Sequence, residues 1–253
     1  MQQFIVQVVL FSVIGAAVWG LSRLLRCRPV DVAIAHPKKS ALQALLAVAV
    51  SSLIIGLLIL RQHLLHGPTG AAGPDIREAA DLVPQLVLTI AYVLPAGLFM
   101  LKARERPRTA GFTTANLWQS LVIGMGLALL TFYFRPGGIA AKLGCIEPHH
   151  AVAFVFYGFV GFGEEFLFRG YLQNRLIRWL GRWRGWVLAS VIMAVVHFPH
   201  RLMIEGLAVG DAAAASLALV PVSLLMGFVM LRTQNVVASG IFHTFANWVN
   251  VLG

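Results

Sequence analysis

The stretch AVAFVFYGFVGFGEEFLFRGYLQ, residues 151–173, is apolar enough to cross a bilayer until it reaches two adjacent carboxylates, Glu164 and Glu165. An acidic residue at the centre of a spanning helix costs about 2.5–3.5 kcal/mol, taking aspartate as proxy, and each Val, Leu or Phe returns about 0.3–0.6 kcal/mol. Roughly ten apolar neighbours between Val152 and Phe168 about balance the two acids. Partners inside the fold must supply the rest. One stands in the same stretch: Arg169 follows Glu165 by four residues, with the acid N-terminal, the favourable order for a helical ion pair. Glu164 is five residues from the arginine and lies on another part of the helix. It is the less neutralised carboxylate and the better candidate for a base. Two carboxylates side by side in low dielectric do not ionise easily together, which suits one of them to proton exchange. The competing explanation is a structural ion-pair cluster that holds helices together, but ionisable residues inside a membrane are functional by default.

The rest of the chain reads the same way. Of 253 residues, 58% are hydrophobic and only 12% charged, and the mean hydropathy is +0.80, whereas soluble domains carry about 25% charged residues. Eight segments read as spans: 4–22, 41–60, 82–101, 117–134, 151–173, 186–200, 212–231 and 235–252. The expected fold is all-α, a polytopic transmembrane helical bundle of about eight spans. It forms a single membrane domain over residues 1–253, with no repeat and no domain boundary, and its chemistry lies within the bundle. The linker HGPTGAAGPD, residues 66–75, is a turn-rich loop.

Charge sets the expected orientation. The first segment has no basic residues before it, and Arg23, Arg26 and Arg28 follow it, so it reads as a span and not a cleaved signal. Lys38 and Lys39, then Lys102, Arg104, Arg106 and Arg108, then Arg175, Arg178, Arg182 and Arg184 fill alternate loops. The positive-inside rule puts those loops in the cytoplasm and, with eight spans, both termini outside. The protein is thus expected to be a multi-pass integral protein of the cell (inner) membrane. The net charge of +10 is accounted for by loop bias and attraction to anionic headgroups of membrane lipids. The basic residues form no long arm, so nucleic acid is not an expected partner. Cys27 falls in a cytoplasmic loop and Cys145 in an external one; neither has the spacing of a metal or nucleophile site.

Two later segments carry polar groups of their own. In VIMAVVHFPH, residues 191–200, His197 ends an apolar helical run that Pro199 closes, while His200 lies beyond the proline and outside the expected site. In SGIFHTFANW, residues 239–248, His243 and Asn247 are four apart on one helix face, and both can donate hydrogen bonds. Taken singly, each has a plain reading as packing or helix-to-helix hydrogen bonding. Depth joins them. From the expected cytoplasmic ends, His197 lies about 18 Å, His243 about 12 Å and Glu164 about 15 Å along their helices, within about one turn of a common level.

The pattern EExxxR as Glu164, Glu165 and Arg169, an apolar helix ending in His197, then HxxxN as His243 and Asn247, resembles the CAAX prenyl protease and bacteriocin-processing (CPBP, or Abi) family of intramembrane glutamic endopeptidases. The resemblance covers about residues 150–250, the catalytic half. The family's second motif usually reads FxxxH, and Met193 stands in the first position here. The resemblance implies a helical-bundle protease whose site opens toward the cytoplasm. Glu164 with His197 would activate a water, His243 and Asn247 would stabilise the oxyanion, and Glu165 and Arg169 would support the first carboxylate. It implies no cofactor and no metal, and a peptide or membrane-protein substrate, lipidated or not. Gly161 and Gly163 suit close helix approach. Other readings are a metal-dependent protease using the carboxylate and two histidines as ligands, although no HExxH is present; a non-enzymatic immunity or scaffolding protein that binds a peptide; and a proton-coupled transporter, against which no inverted repeat is visible.

Overall fold

A computed structural model describes residues 2–30, 33–68 and 76–252, with side chains from Ile5 onward. The loop expected at 66–75 therefore lies largely outside the described residues. Every regular element among them is helical: α1 (Gln2–Leu24), α2 (Pro37–His66), α3 (Leu82–Lys102), α4 (Leu117–Tyr133), α5 (Gly138–Gly144), α6 (Pro148–Glu165), a π-helical segment (Phe166–Gln173), α7 (Asn174–Leu180), α8 (Arg182–Val195), α9 (Phe198–Met203), α10 (Val209–Leu217), α11 (Val220–Thr233) and α12 (Val236–Trp248), joined by short 3₁₀ turns. Large apolar side chains such as Val9, Leu53, Leu57, Val87 and Leu98 are exposed along α1, α2 and α3, as lipid-facing surface requires and a water-facing one avoids.

Six helical stretches are long and apolar enough to cross a membrane, or seven if α4 and α5 together make one span. This is fewer than the eight expected. The fourth expected span ends at Tyr133, and the chain turns by 90° before α5, at Arg135-Pro136-Gly137, where Gly137 has φ +77°. The eighth is only 13 residues of α-helix. Periodicity registers apolar content and not where a helix stops, so it gives no sign of either feature. α12 can be short because it packs among α4, α6 and α11, where protein rather than lipid covers its ends.

Hydrogen bonds across the bundle fix the relative levels of the helices. At one end Ser40 Oγ reaches Glu105, Glu105 is bonded to Arg175, and the backbone of Val236 donates to Gly111. In the middle Ser51 Oγ donates to the Tyr92 carbonyl at 2.6 Å. At the other end His63 Nδ1 lies 2.8 Å from the Met203 carbonyl, and Trp248 Nε1 donates to the His150 carbonyl at 2.7 Å. The segments around Arg28, Lys39, Arg104 and Arg178 thus gather at one end, which we call the basic end. The turn between α7 and α8 there needs glycine twice. Gly181 has φ +86°, and a Cβ on Gly185 would lie 2.4 Å from the Ile177 nitrogen.

Arg175 corrects the sequence reading. It does not belong to a solvated basic loop: its side chain is wholly buried against Glu105, with its guanidinium 3.7 Å from the Tyr171 ring centroid.

Candidate active site

Glu164 and Glu165 close α6, where the helix widens into the π-helical segment that carries Arg169. Such insertions are frequent at functional sites, because the extra residue per turn re-aims the side chains that follow. Neighbours in sequence, the two glutamates have different surroundings. Glu165 is fully buried; Arg169 Nη1 stands 3.3 Å from its Oε1 and His243 Nδ1 3.2 Å from the same oxygen. Arg169 Nη2 donates onward to Ser223 Oγ at 3.1 Å, tying the pair to α11. The Glu164 side chain is 21% exposed and lines a cavity of about 520 Å³.

Two imidazoles face Glu164. His197 Nε2 lies 3.8 Å from its Oε2 and His243 Nε2 lies 3.9 Å from the same atom, which is buried with no hydrogen-bond partner. His197 Nδ1 is 2.7 Å from the Met193 carbonyl. A carbonyl only accepts, so we assign the hydrogen to Nδ1 and leave Nε2 toward the carboxylate. The contact uses the backbone carbonyl of Met193, whose side chain packs in the core. A gap of 3.8 Å is too long for a hydrogen bond.

Asn247 sits one turn beyond His243 on the same half-buried face of α12 and makes no hydrogen bond to the glutamates. Helix α12 is positioned tightly against α6. A Cβ on Gly161 would stand 2.8 Å from Thr244 Oγ1, and one on Gly240 would stand 2.7 Å from the Phe162 ring. Glycine at both places lets the backbones approach closely enough for His243 to reach Glu165. Its start is fixed by Asn235, whose side chain accepts from the Val237 nitrogen at 2.9 Å and donates to the Thr113 carbonyl at 2.7 Å.

The opposite wall of the cavity comes from the first half of the chain: Ser52, Ile55 and Ile59 on α2, and Gln85, Thr89 and Tyr92 on α3. Sequence reasoning passed over these residues. Their signal was there, since polar groups recur at positions 85, 89 and 92, a single helical face of an otherwise apolar span. His200, excluded on sequence grounds, lines the cavity as well. Among the described residues no group of three or more His, Cys, Asp or Glu side chains is arranged to hold a metal ion.

Comparison with known proteins finds a likeness in the second half of the chain. Residues 147–249 match the family described as type II CAAX prenyl endopeptidase Rce1-like. No curated protein and no solved structure matches the chain. The family's activity is that of CAAX-type intramembrane proteases, hydrolases that act on peptide or protein substrates in a lipid environment, and the several apolar helices make this a multi-pass membrane protein. Residues 147–249, which contain Glu164, Glu165, Arg169, His197, His243 and Asn247, are thus similar to the Rce1-like family of CAAX prenyl endopeptidases.

Proposed function

We propose that the protein is an intramembrane glutamic endopeptidase, a single membrane domain in which Glu164 is the general base. The observation that carries this reading is the placement of Glu164 Oε2 between His197 Nε2 and His243 Nε2 on a cavity wall. A water held between Glu164 and His197 gives up a proton to this pair as its oxygen attacks the scissile carbonyl; the proton then passes to the leaving amine. The carbonyl oxygen becomes an oxyanion, which Asn247 Nδ2 and His243 Nε2 would stabilise as donors. His243 already donates through Nδ1 to Glu165, so it donates through Nε2 only as the imidazolium. The two carboxylates beside it supply the counter-charge. Glu165 and Arg169 hold His243 and the helix in register and take no part in the bond-making steps.

Proteolysis creates a new terminus, whereas peptide binding and transport do not. Mass spectrometry of candidate membrane peptides, prenylated and not, incubated with wild type and with Glu164→Ala, is therefore the primary test. Cleavage by the wild type alone is expected. Cleavage by both, or by neither across a broad panel, removes the reading. Asn247→Ala should cost on the order of 10² to 10³-fold in kcat, the scale of one lost oxyanion donor. The metal-dependent alternative makes a different set of predictions. Activity would vanish on chelation and return with one specific ion, and Asn247 would matter little. We expect cleavage to survive exhaustive chelation.

A further inference from the structure

The end of the bundle opposite the basic end carries a titratable cluster that the mechanism does not use. Glu147, His149 and His150 stand at the start of α6, with Pro148 in the first helical position. Glu147 caps the helix reciprocally: its carboxylate accepts from the His150 nitrogen, and its own backbone nitrogen donates to His150 Nδ1 at 2.8 Å. His149 Nδ1 stands 3.3 Å from Glu147 Oε2, and the two imidazole centroids are 4.0 Å apart. His150 is buried, and its carbonyl accepts from Trp248 Nε1 at 2.7 Å. The cluster thus ties the first turn of α6, the helix that ends in Glu164 and Glu165, to the last residue of α12, the helix that carries His243 and Asn247.

A reciprocal cap of this kind ordinarily has Glu or Gln as its third helical residue, and either side chain accepts a hydrogen bond at any pH near neutrality. Histidine accepts through Nδ1 only while that atom carries no hydrogen, so the cap closes around the neutral ring with its hydrogen on Nε2. Acid places a hydrogen on Nδ1, where it meets the Glu147 N–H as one donor meeting another. Protonation of His149 adds to the cost, because the rings lie together at the positive end of the α6 dipole. Glu147 offers one carboxylate against two imidazolium charges. Ile76, Phe132, Ile139 and Trp248 pack around this end, and the elements that bring them carry the other charged groups. On α5 this is Lys142, whose Nζ donates to the Leu252 carbonyl at 2.7 Å. After α4 it is Arg135, and ahead of α3 it is Arg77, Glu78 and Asp81, whose carboxylate accepts from the backbone nitrogens of the other two at 3.0 Å. The end of α12 contributes only the uncharged Trp248 indole. The closed cap is therefore the neutral form, and a falling pH favours the open one.

We propose that Glu147, His149 and His150 form a proton-operated clamp, which holds the far ends of α6 and α12 together while His150 is neutral and releases them in acid. Release frays the first turn of α6 and loosens its bond to Trp248. The helix bearing the glutamates then loses its fixed register with the helix bearing His243 and Asn247. Glu147 is exposed and His149 partly so, so the pH that acts is that of the solution on the side away from the basic loops. The consequence for cleavage rests on the protease reading above; the clamp itself does not.

The test uses the full-length protein in detergent. It reads backbone hydrogen exchange over residues 148–153, corrected for intrinsic rates, between about pH 8 and about pH 5, the range in which imidazoles change charge. In the wild type the protection of this turn should fall roughly 3- to 30-fold toward acid, the scale of one lost helix cap, and recover at neutral pH, while that of α7 holds. His150→Gln puts there a carboxamide oxygen that accepts at every pH. Its protection should match the wild type at the upper end of the range and no longer fall. Exchange at C2 of the His150 ring, read by mass spectrometry on the wild type, follows the protonation of that ring and needs no variant. Its midpoint should coincide with the loss of protection. A first turn equally protected across the range, an equal fall in His150→Gln, or a midpoint apart from that of His150 each overturns the proposal. No substrate enters these measurements, so if Glu164→Gln still cleaves, it is the protease reading that fails and the clamp that stands.

Discussion

The basic-end half and the opposite half of the same helices have been built to different standards. On α2 the buried side chains run from Ser40 to Ser51, and the cavity face begins at Ser52. On α3 only Ala96 and Met100 are buried, both on the basic side of Tyr92. On α8 the buried positions stop at Ala194, and the cavity begins with Val195. On these three helices the change falls near the level of Glu164 and Glu165, whereas α4 and α12 stay buried toward their far ends around Phe132 and Trp248. The difference shows how a membrane protein keeps two acids in its interior. Glu165 is wholly buried and held through Oε1 by Arg169 and His243, whereas the Glu164 side chain is partly exposed on the cavity and faces His197.

The comparison breaks first if the two glutamates can be exchanged in role. Glu164→Gln preserves shape and removes the proton acceptor. Activity should fall by at least roughly 10² to 10⁴-fold, with thermal stability in detergent little changed. Glu165→Gln should lower the stability as well as the activity. Equal loss of stability in both variants would show that the division between open and packed halves has no functional meaning.

Next in size is the buried ion pair at the basic end. Arg175→Ala leaves Glu105 without its partner and opens a void under Tyr171, and breaking a buried ion pair typically costs about 3–5 kcal/mol. Arg169→Ala, which strands the fully buried Glu165, belongs to the same class. Both should appear as a lowered melting temperature and a reduced folded yield. A variant of Arg169 with unchanged stability and no activity would move that residue from support into the chemistry.

A smaller effect separates two glycines one turn apart on α6. A Cβ at Gly161 meets Thr244 Oγ1 at 2.8 Å and the Thr244 nitrogen at 3.0 Å, whereas one at Gly158 meets nothing within 4 Å. Gly161→Ala should push α12 away and destabilise by about 1–3 kcal/mol. Gly158→Ala should be neutral or stabilising by up to about 1 kcal/mol. Equal melting temperatures would mean that the α6–α12 contact does not set the position of His243.

The smallest expected effect concerns the cysteines. Cys145 is exposed and Cys27 half-buried. Burial pushes the Cys27 thiol up, with Arg232 and a backbone hydrogen bond opposing in part. Less thiolate is present at neutral pH, so in detergent, with both faces accessible, Cys27 should alkylate more slowly than Cys145 and gain more from a rise in pH. On intact cells an impermeant reagent should label Cys145 and spare Cys27. Labelling of Cys27 first would invert the orientation.

The chain announced much of this before any coordinate. Apolar runs made the membrane helices legible, because lipid leaves no other way to satisfy a backbone. The expense of burying polar and ionisable groups made Glu164, Glu165, Arg169, His197, His243 and Asn247 stand out, and the four-residue spacing alone puts Arg169 beside Glu165. What the chain did not disclose depends on where helices end and on what faces them. The 90° turn after α4, the 13-residue length of α12 and the π-helical segment after Glu165 follow from packing against neighbours, for which local hydropathy carries no signal. Arg175 read as a loop cation because its partner Glu105 is seventy residues away in sequence. Gln85, Thr89 and Tyr92 read as incidental polar residues until α3 was set opposite α6. Composition and spacing are local properties and chose the chemistry. Where the packing around the glutamates is solid and where it is hollow depends on long-range contacts among helices, and only the tertiary structure decided it.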